Sequence, residues 1–260
     1  METLATAEPQ KRRTADPFLN FLSYLRSLLF TDLLIYFYTA VCGTASLCGS
    51  AFDAEGRWQH GCARFWSRLI LMTSGIQVRV EGAENILPGQ TYVFCANHPS
   101  AMDIPILFVS LPAQFRFLAK RSLFRLPFLG WHLRRSGHIP VDRGRAGAAA
   151  KGFEQAAQRI REGRSVVMFP EGSRSRVPGM LPFKDGSFYL AVLSGIPIVP
   201  VTLNGSREVL KPDSLHVRRG HVEVIIHPAI STAGLAANNV SALSLRVRQQ
   251  IASRFHLAAE

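Results

Sequence analysis

The amino-acid sequence predicts an α/β fold with a mostly parallel central sheet of about seven strands flanked by helices, preceded by a helical hairpin. Three observations support this fold class. Short β-rich runs recur along the chain, helical patterns alternate with them, and a long uncharged segment precedes them all. Strands that alternate with helices are typical of an α/β domain, because two parallel strands need a crossover connection.

The predicted strands are residues 76–80, 91–96, 115–119, 138–141, 165–169, 198–203 and 221–226. Two segments have the apolar periodicity of helices. One is the face formed by Ala149, Phe153, Ala156, Ala157 and Ile160, and the other is the C-terminal ladder of Leu243, Val247, Ile251 and Phe255. We therefore expect residues 76–260 to form the α/β domain.

The N-terminal part has two predicted regions. Residues 1–17 are polar, contain a basic triplet at 11–13, and are expected to be a disordered tail. Residues 18–75 are expected to form a membrane-associated helical hairpin. Its first arm is 33–51, which has no charged residue, and its second arm is 58–74, which has an apolar face at helical spacing.

The uncharged arm could also cross a bilayer once, since its nineteen positions are just long enough. A single span would place the basic triplet and the basic remainder of the chain on opposite sides, which the positive-inside rule disfavours. A hairpin that dips into one leaflet keeps both on the cytosolic side. A two-helix flap in a soluble core is the third alternative.

The charge distribution indicates an anionic partner. The formal net charge is +12, and residues 111–180 hold fourteen Lys or Arg against four Asp or Glu, a net of +10. Such a field suits phosphates, an anionic membrane surface or an acidic carrier protein, although a merely solvated basic face would have the same composition. Nucleic acid fits poorly because the sequence has no recognised nucleic-acid-binding signature.

The four cysteines give no sign of a metal site or a disulfide framework. They include no CxxC pair and no metal-like grouping with histidine, so we expect neither a metal nor a cofactor. The same pattern indicates a reducing, cytosol-facing location. The four are Cys42, Cys48, Cys62 and Cys95.

The heptad NHPSAMD at residues 97–103 follows the second predicted strand and places an imidazole five residues before a carboxylate. If Asp103 lies in the first turn of the next helix, it can accept the Nδ1 proton of His98. Nε2 of His98 is then free to act as a general base. The same residues also match a helix capping box from Ser100 to Asp103, which would be structural.

A second motif, FPEGSRS at residues 169–175, follows another predicted strand. Ligands of α/β sheets gather at the carboxyl ends of strands, so the two motifs are expected to converge. Together with GHIPVDR at 137–143 and IPIVPV at 196–201, they occur in an order that resembles the glycerolipid acyltransferase family, and the resemblance covers about residues 76–228. Within that family the sequence is most similar to the 1-acylglycerol-3-phosphate acyltransferases.

The resemblance implies an enzyme of phospholipid synthesis. His98 and Asp103 would be catalytic, and an acyl group would pass from acyl-CoA or acyl carrier protein to the free hydroxyl of 1-acylglycerol 3-phosphate, giving phosphatidic acid. It also implies a membrane-associated enzyme on the cytosolic face. The residues expected to bind substrate are Glu171, Gly172, Ser173, Arg174, Arg143, Lys120 and Lys184.

Several alternatives stay open at this stage. Glu171 could orient Arg174, contact the acceptor, or only stabilise its loop. Lys120 and Arg143 could equally be solvated charges. The acceptor could instead be glycerol 3-phosphate, another lysophospholipid or a lyso-aminolipid. A protein of a different class, a non-catalytic basic protein that binds anionic membranes, has the same charge pattern.

Overall fold

The structure is a computed structural model that describes residues 17–141, 154 and 156–257. Most of the expected disordered tail, residues 1–16, lies outside the described residues. The same holds for Arg143 and for the start of the helical face expected at 149–160.

The strands are β1 Ile76–Glu81, β2 Val93–Ala96, β3 Phe115–Lys120, β4 Ile139–Val141, β5 Ser165–Met168, β6 Ile198–Asn204 and β7 Gly220–Ile226. The α-helices are α1 Pro17–Arg26, α2 Asp32–Gly49, α3 Arg57–Ser74, α4 Asp103–Ser110, α5 Leu129–Arg135, α6 at 156–161, α7 Asp185–Ser194, α8 Ser206–Val209 and α9 Val240–Ala252. The 3-10 helices are Ala83–Asn85, Arg121–Arg125 and Ala237–Asn239. All seven predicted strands are present, with ends that differ by at most two residues.

The strands form one sheet in the order β1-β7-β6-β2-β5-β3-β4. Every neighbouring pair is parallel except β6 and β7, which are antiparallel, so the prediction of a mostly parallel sheet is confirmed. Strand β2 is central and pairs with both β5 and β6. The loops after β2 and β5 therefore leave the sheet side by side at its carboxyl edge.

Two apolar clusters cover the sheet. One contains α3 and α4, with Ile70, Leu71 and Ile106 packed against β2, β6 and β7. The other contains α6, α7 and α9, with Phe188 and Val247 among its fully buried side chains. Of the predicted helical faces, the described part of the first, at 156–160, is buried, and so is the C-terminal ladder up to Ile251.

The first arm of the predicted hairpin is longer than the sequence indicated. One helix runs over Pro17–Gly49, 33 residues, through a single π-helical turn at Ser27–Thr31. The prediction began this arm at residue 33 because the uncharged run begins there, directly after Asp32, and Arg26 lies farther towards the start of the helix. Both charges are accommodated within the helix, since Arg26 Nη2 donates to the carbonyl of Val217 and Asp32 accepts from the hydroxyl of Ser27.

Much of this long helix presents apolar side chains to its surroundings, and it is apolar and long enough to cross a membrane. Only about a tenth of the residues in its most apolar 18-residue stretch are buried within the structure. The exposed apolar side chains along it include Phe18, Leu19, Phe21, Leu29, Phe30, Leu33, Tyr36 and Phe37.

The long helix is fixed to the α/β domain at two well-separated positions. About a third of the way along it, the Ser27 hydroxyl accepts from the backbone N–H of Val217 at 2.7 Å. Near its end, Ser46 Oγ lies 3.2 Å from Nδ1 of His132 in α5. A helix of 33 residues is about 50 Å long. Since Ser27 and Ser46 contact the same domain, the helix between them lies along the domain rather than projecting away from it.

Candidate active site

The two motifs predicted from sequence meet at the carboxyl edge of the sheet. The heptad at 97–103 connects β2 to α4, and the motif at 169–175 follows β5, the neighbour of β2. Backbone hydrogen bonds join the two segments. The N–H of Ser175 donates to the carbonyl of His98 at 3.2 Å, so the loops form one rigid surface.

The imidazole of His98 and the carboxylate of Asp103 are paired. Asp103 Oδ2 lies 2.7 Å from His98 Nδ1, with Asp103 fully buried and the His98 side chain 13% exposed. An ionised carboxylate can only accept, so Nδ1 carries the proton and Nε2 has a free lone pair. A histidine held in this tautomer, with one edge accessible, is arranged as a general base.

Asp103 also stabilises its own helix, so the structural alternative is partly correct. Its Oδ2 accepts from the backbone N–H of Ser100 at 2.9 Å, and it occupies the first position of α4, where the helix dipole favours a negative charge. Its Oδ1 is buried and has no hydrogen-bond partner among the described residues. One carboxylate therefore fixes both the helix start and the tautomer of His98.

Glu171 joins the two loops through their backbones. Its Oε1 accepts from the N–H of His98 at 2.7 Å and its Oε2 accepts from the N–H of Leu181 at 2.8 Å. The side chain is 97% buried, and this burial raises the pKa of its carboxyl group, while the two N–H donors act in the opposite direction. Of the roles considered from sequence, the contacts agree with loop stabilisation, and Glu171 acts on the position of His98 rather than orienting Arg174.

Two further residues shape the site and were not identified from sequence. The ring of Phe169 stacks on His98, with centroids 3.9 Å apart and planes at 14°. The side chain of Asn97 accepts from the N–H of Leu203 and donates to its carbonyl, so it fixes the end of β2 to β6. Both belong to the quoted motifs, but the spacing of a motif carries no information about ring stacking or strand bridging.

Cationic and hydroxyl groups lie beside the His98 edge of the loop. Ser173 and Arg174 are exposed. Lys184 is also exposed. Its backbone N–H donates to the carbonyl of Pro170 at 2.9 Å, so Lys184 lies next to the start of this loop. A Cβ on Gly172, whose φ is +76°, would lie 3.0 Å from Lys184 Nζ, so the lysine side chain runs closely over the glycine.

The two remaining predicted residues are less directly placed. Lys120 ends β3, which pairs with β5, and its side chain is exposed one strand away from the loop after β5. It therefore shares the carboxyl edge of the sheet with the site. Arg143 lies outside the described residues, so its prediction stays as the sequence made it.

An apolar cavity of about 400 Å³ lies behind the site, between the α2–α3 pair and the domain. Phe117 forms part of its wall and also stacks on Phe169, the residue that stacks on His98. Ile104, next to Asp103, is a second wall residue. The cavity thus lies behind the stacked rings that adjoin His98, and its volume is that of a pocket for a small apolar ligand.

Comparison with known proteins identifies the family of the chain. A family model described as Acyltransferase matches residues 77–204. A Saccharomyces cerevisiae protein named 1-acyl-sn-glycerol-3-phosphate acyltransferase is 34% identical over 238 residues, which cover 89% of this chain and 77% of the relative. The Homo sapiens 1-acyl-sn-glycerol-3-phosphate acyltransferase alpha is 35% identical over 182 residues, which cover 70% of this chain and 64% of that protein.

A solved structure shares the fold. The 1-acyl-sn-glycerophosphate (LPA) acyltransferase PlsC from Thermotoga maritima superposes with a TM-score of 0.72 at 23% identity, covering 91% of this chain and 95% of that one. At this identity the likeness concerns the fold. The curated relatives and the matched motifs carry the assignment, and the chain belongs to the glycerolipid acyltransferase family that includes the 1-acyl-sn-glycerol-3-phosphate acyltransferases.

Proposed function

We propose that this enzyme transfers a fatty acyl group from a thioester to the free hydroxyl of 1-acylglycerol 3-phosphate, giving phosphatidic acid. The observation that carries the proposal is the pairing of His98 Nδ1 with the buried Asp103 at 2.7 Å, at the edge where the two family motifs meet. The acceptor is inferred from the curated relatives, which are named for it.

In the proposed reaction Nε2 of His98 takes the proton of the acceptor hydroxyl as the oxygen attacks the thioester carbonyl. The tetrahedral oxyanion collapses, the carbon–sulfur bond breaks, and the imidazolium returns the proton to the departing thiolate. Asp103 stabilises the imidazolium, in the way that the carboxylate does in a serine-hydrolase triad. A thioester is already activated, so no covalent enzyme nucleophile is needed.

The acceptor phosphate is proposed to bind beside His98, at the exposed loop that follows β5. Arg174 offers a planar, permanently charged guanidinium suited to bidentate phosphate contact, and Ser173 adds a hydroxyl. Lys184, which runs over Gly172, supplies a third donor. Lys120 and Arg143 are proposed as outer cations that draw a phosphate towards the loop.

The acyl chain requires an apolar site close to the base. The cavity of about 400 Å³ meets that requirement. Its wall includes Phe117, Phe117 stacks on Phe169, and Phe169 stacks on His98. The donor itself is proposed to be acyl-CoA or acyl carrier protein. Both are anionic, which agrees with the net charge of +10 over residues 111–180.

We further propose that the enzyme works on the cytosolic face of a membrane, with residues 18–75 docked into one leaflet. The long helix has exposed apolar side chains, and contacts at Ser27 and Ser46 hold it to the α/β domain at two positions. A helix crossing the bilayer would have to release one of these contacts, so docking along the interface fits them better than a span. The contribution of α3 to the core also argues against a hairpin that is separate from the domain.

The proposal is tested by lipid product analysis with purified enzyme, one acyl-CoA and a panel of acceptors. We expect phosphatidic acid from 1-acylglycerol 3-phosphate as the dominant product. Preferential acylation of glycerol 3-phosphate, another lysophospholipid or a lyso-aminolipid would show that the proposed acceptor is wrong and the proposed acyl-transfer chemistry is right. No acylated product from any acceptor, with vesicle binding intact, would favour a non-catalytic membrane-binding protein.

A further inference from the structure

We infer that residues 121–135 form a second membrane contact, specific for anionic lipid, next to the long N-terminal helix. This segment is the 3-10 helix Arg121–Arg125, a three-residue connection and α5. It is called the α5 patch below. The inference rests on the proposed function only in requiring that the enzyme docks on a membrane at all.

The α5 patch carries large apolar side chains that remain substantially exposed, although Leu129 also lines the apolar cavity and Trp131 also lines a groove against the end of α2. Trp131 is 57% exposed, Leu126 47% and Leu129 40%, which is unusual for a cluster of adjacent large residues on a soluble surface. Their neighbours Phe124 and Gly130 are buried, so the segment is anchored on one side and apolar on the other. Tryptophan at such a site is typical of the bilayer interface, where its ring lies at the depth of the headgroups.

The charge of the segment complements an anionic surface. Residues 115–141 contain six Lys or Arg and no Asp or Glu. Arg125 and Arg135 are exposed and, within the described part of the chain, have no recorded carboxylate partner. Exposed arginines on both sides of the exposed apolar residues match a surface that inserts shallowly while its cations meet lipid phosphates.

The α5 patch is continuous with the long helix. Trp131, Arg134 and Arg135 form an open groove together with Leu47 and Ala51 at the end of α2 and the turn after it. The contact is close, because a Cβ on Gly43 would lie 2.8 Å from the ring of Phe128. The two apolar surfaces therefore move as one body, and a membrane that meets α2 also meets Trp131.

An acidic carrier protein is the other partner that a basic patch could attract. The exposed apolar side chains favour lipid, since a carrier protein would need only the cations. A direct test measures partitioning of the full-length protein onto two kinds of vesicle, phosphatidylcholine alone and an equal mixture of phosphatidylcholine and phosphatidylglycerol. The test variant is R125Q/R135Q.

The matched control is R159Q/R246Q. It removes the same charge from exposed arginines on α6 and α9, which cover the opposite face of the sheet. We expect R125Q/R135Q to partition about tenfold to thirtyfold more weakly onto the mixed vesicles and unchanged onto phosphatidylcholine. The control should stay near the wild type on both.

A second measurement does not depend on the arginines. Brominated phosphatidylcholine in the mixed vesicles should quench tryptophan fluorescence of the wild type, and W131F should lose part of that quenching. Equal partitioning of the two double variants, or unchanged quenching in W131F, would overturn the α5 patch while leaving the proposed function intact. Failure of the wild type to bind either vesicle would overturn the α5 patch together with the proposed membrane docking, and would leave the proposed acyl transfer to the product analysis. Loss of activity with a carrier-protein donor only, at normal vesicle binding, would assign the patch to the carrier instead.

Discussion

The backbone N–H of His98 donates to Oε1 of Glu171 at 2.7 Å, so the glutamate of the second motif holds the histidine of the first in place. The other carboxylate oxygen holds Leu181, farther along the loop. Both oxygens of a buried side chain are thus used on backbone donors. We interpret Glu171 as a positioning residue whose effect reaches the reaction through His98.

The first prediction follows from this contact. Glu171→Gln keeps the size of the side chain but places an NH₂ group against one of two backbone N–H donors. Leaving a buried donor unsatisfied costs about 1–3 kcal/mol, so the melting temperature should fall and kcat should fall with it. The apparent KM for the acceptor should change little. A raised acceptor KM at unchanged kcat and unchanged stability would instead make Glu171 a direct acceptor contact.

The second prediction concerns the acceptor phosphate. Arg174→Ala should raise the apparent KM for 1-acylglycerol 3-phosphate about tenfold to a hundredfold, as expected for a lost charge-assisted contact. Arg176→Ala is the control, because Arg176 is exposed in the same loop but pairs with Asp213 at 3.0 Å. Steady-state kinetics with each substrate varied in turn separates the effects. Equal losses in both variants, or a loss confined to the donor, would remove Arg174 from the acceptor site.

The third prediction concerns stability in acid. Burial, with a smaller contribution from the nearby Arg116, lowers the pKa of His60 to about 4. Because an unfolded histidine has a pKa of about 6.5, the unfolded chain binds a proton that the folded chain does not, and stability falls as pH drops from about 6.5 towards about 4. His60→Leu fits between the rings of Phe108 and Phe115 and should remove about 1–2 kcal/mol of this loss.

Thermal melts at about pH 7 and about pH 5 provide the measurement. His221→Leu, at an exposed histidine, is the control and should keep the wild-type pH dependence. A pH dependence in His60→Leu identical to that of the wild type would show that folding does not lower the pKa of His60.

The fourth prediction concerns the membrane geometry. If the long helix lies along the domain, trypsin added to sealed vesicles should reach the basic triplet at 11–13 and the loop around Arg174 from the same side. The contacts of Ser27 and Ser46 with the domain are the reason. Protection of one site and cleavage of the other in intact vesicles would require a span and would contradict those contacts.

Much of the fold could be predicted because the sheet is buried on both faces. Its strands are short apolar runs, such as Ser165–Met168, which is buried at every position, and such runs stand out from amphipathic helices. The pairing of His98 with Asp103 was also predictable, since a histidine just after a strand and a carboxylate in the first turn of the next helix can come close together.

The start of the long helix could not be predicted from charge alone. Arg26 and Asp32 interrupt the apolar run, and only the contacts with Val217 and Ser27 explain why the helix continues through them. The role of Glu171 was open for the same reason. Its partners are backbone groups at residues 98 and 181, and a backbone N–H leaves no signature in a sequence.

The central claim is that His98 is the general base, and its replacement is the most direct test. The measurement is the rate of phosphatidic acid formation by purified His98→Ala, with saturating acyl-CoA and 1-acylglycerol 3-phosphate, compared with the wild type and with His221→Ala. The rate of His98→Ala should be lower by about a hundredfold or more, the usual contribution of a general base, at an unchanged melting temperature. His221→Ala should match the wild type. A His98→Ala enzyme that keeps about a tenth of the wild-type rate would contradict the account.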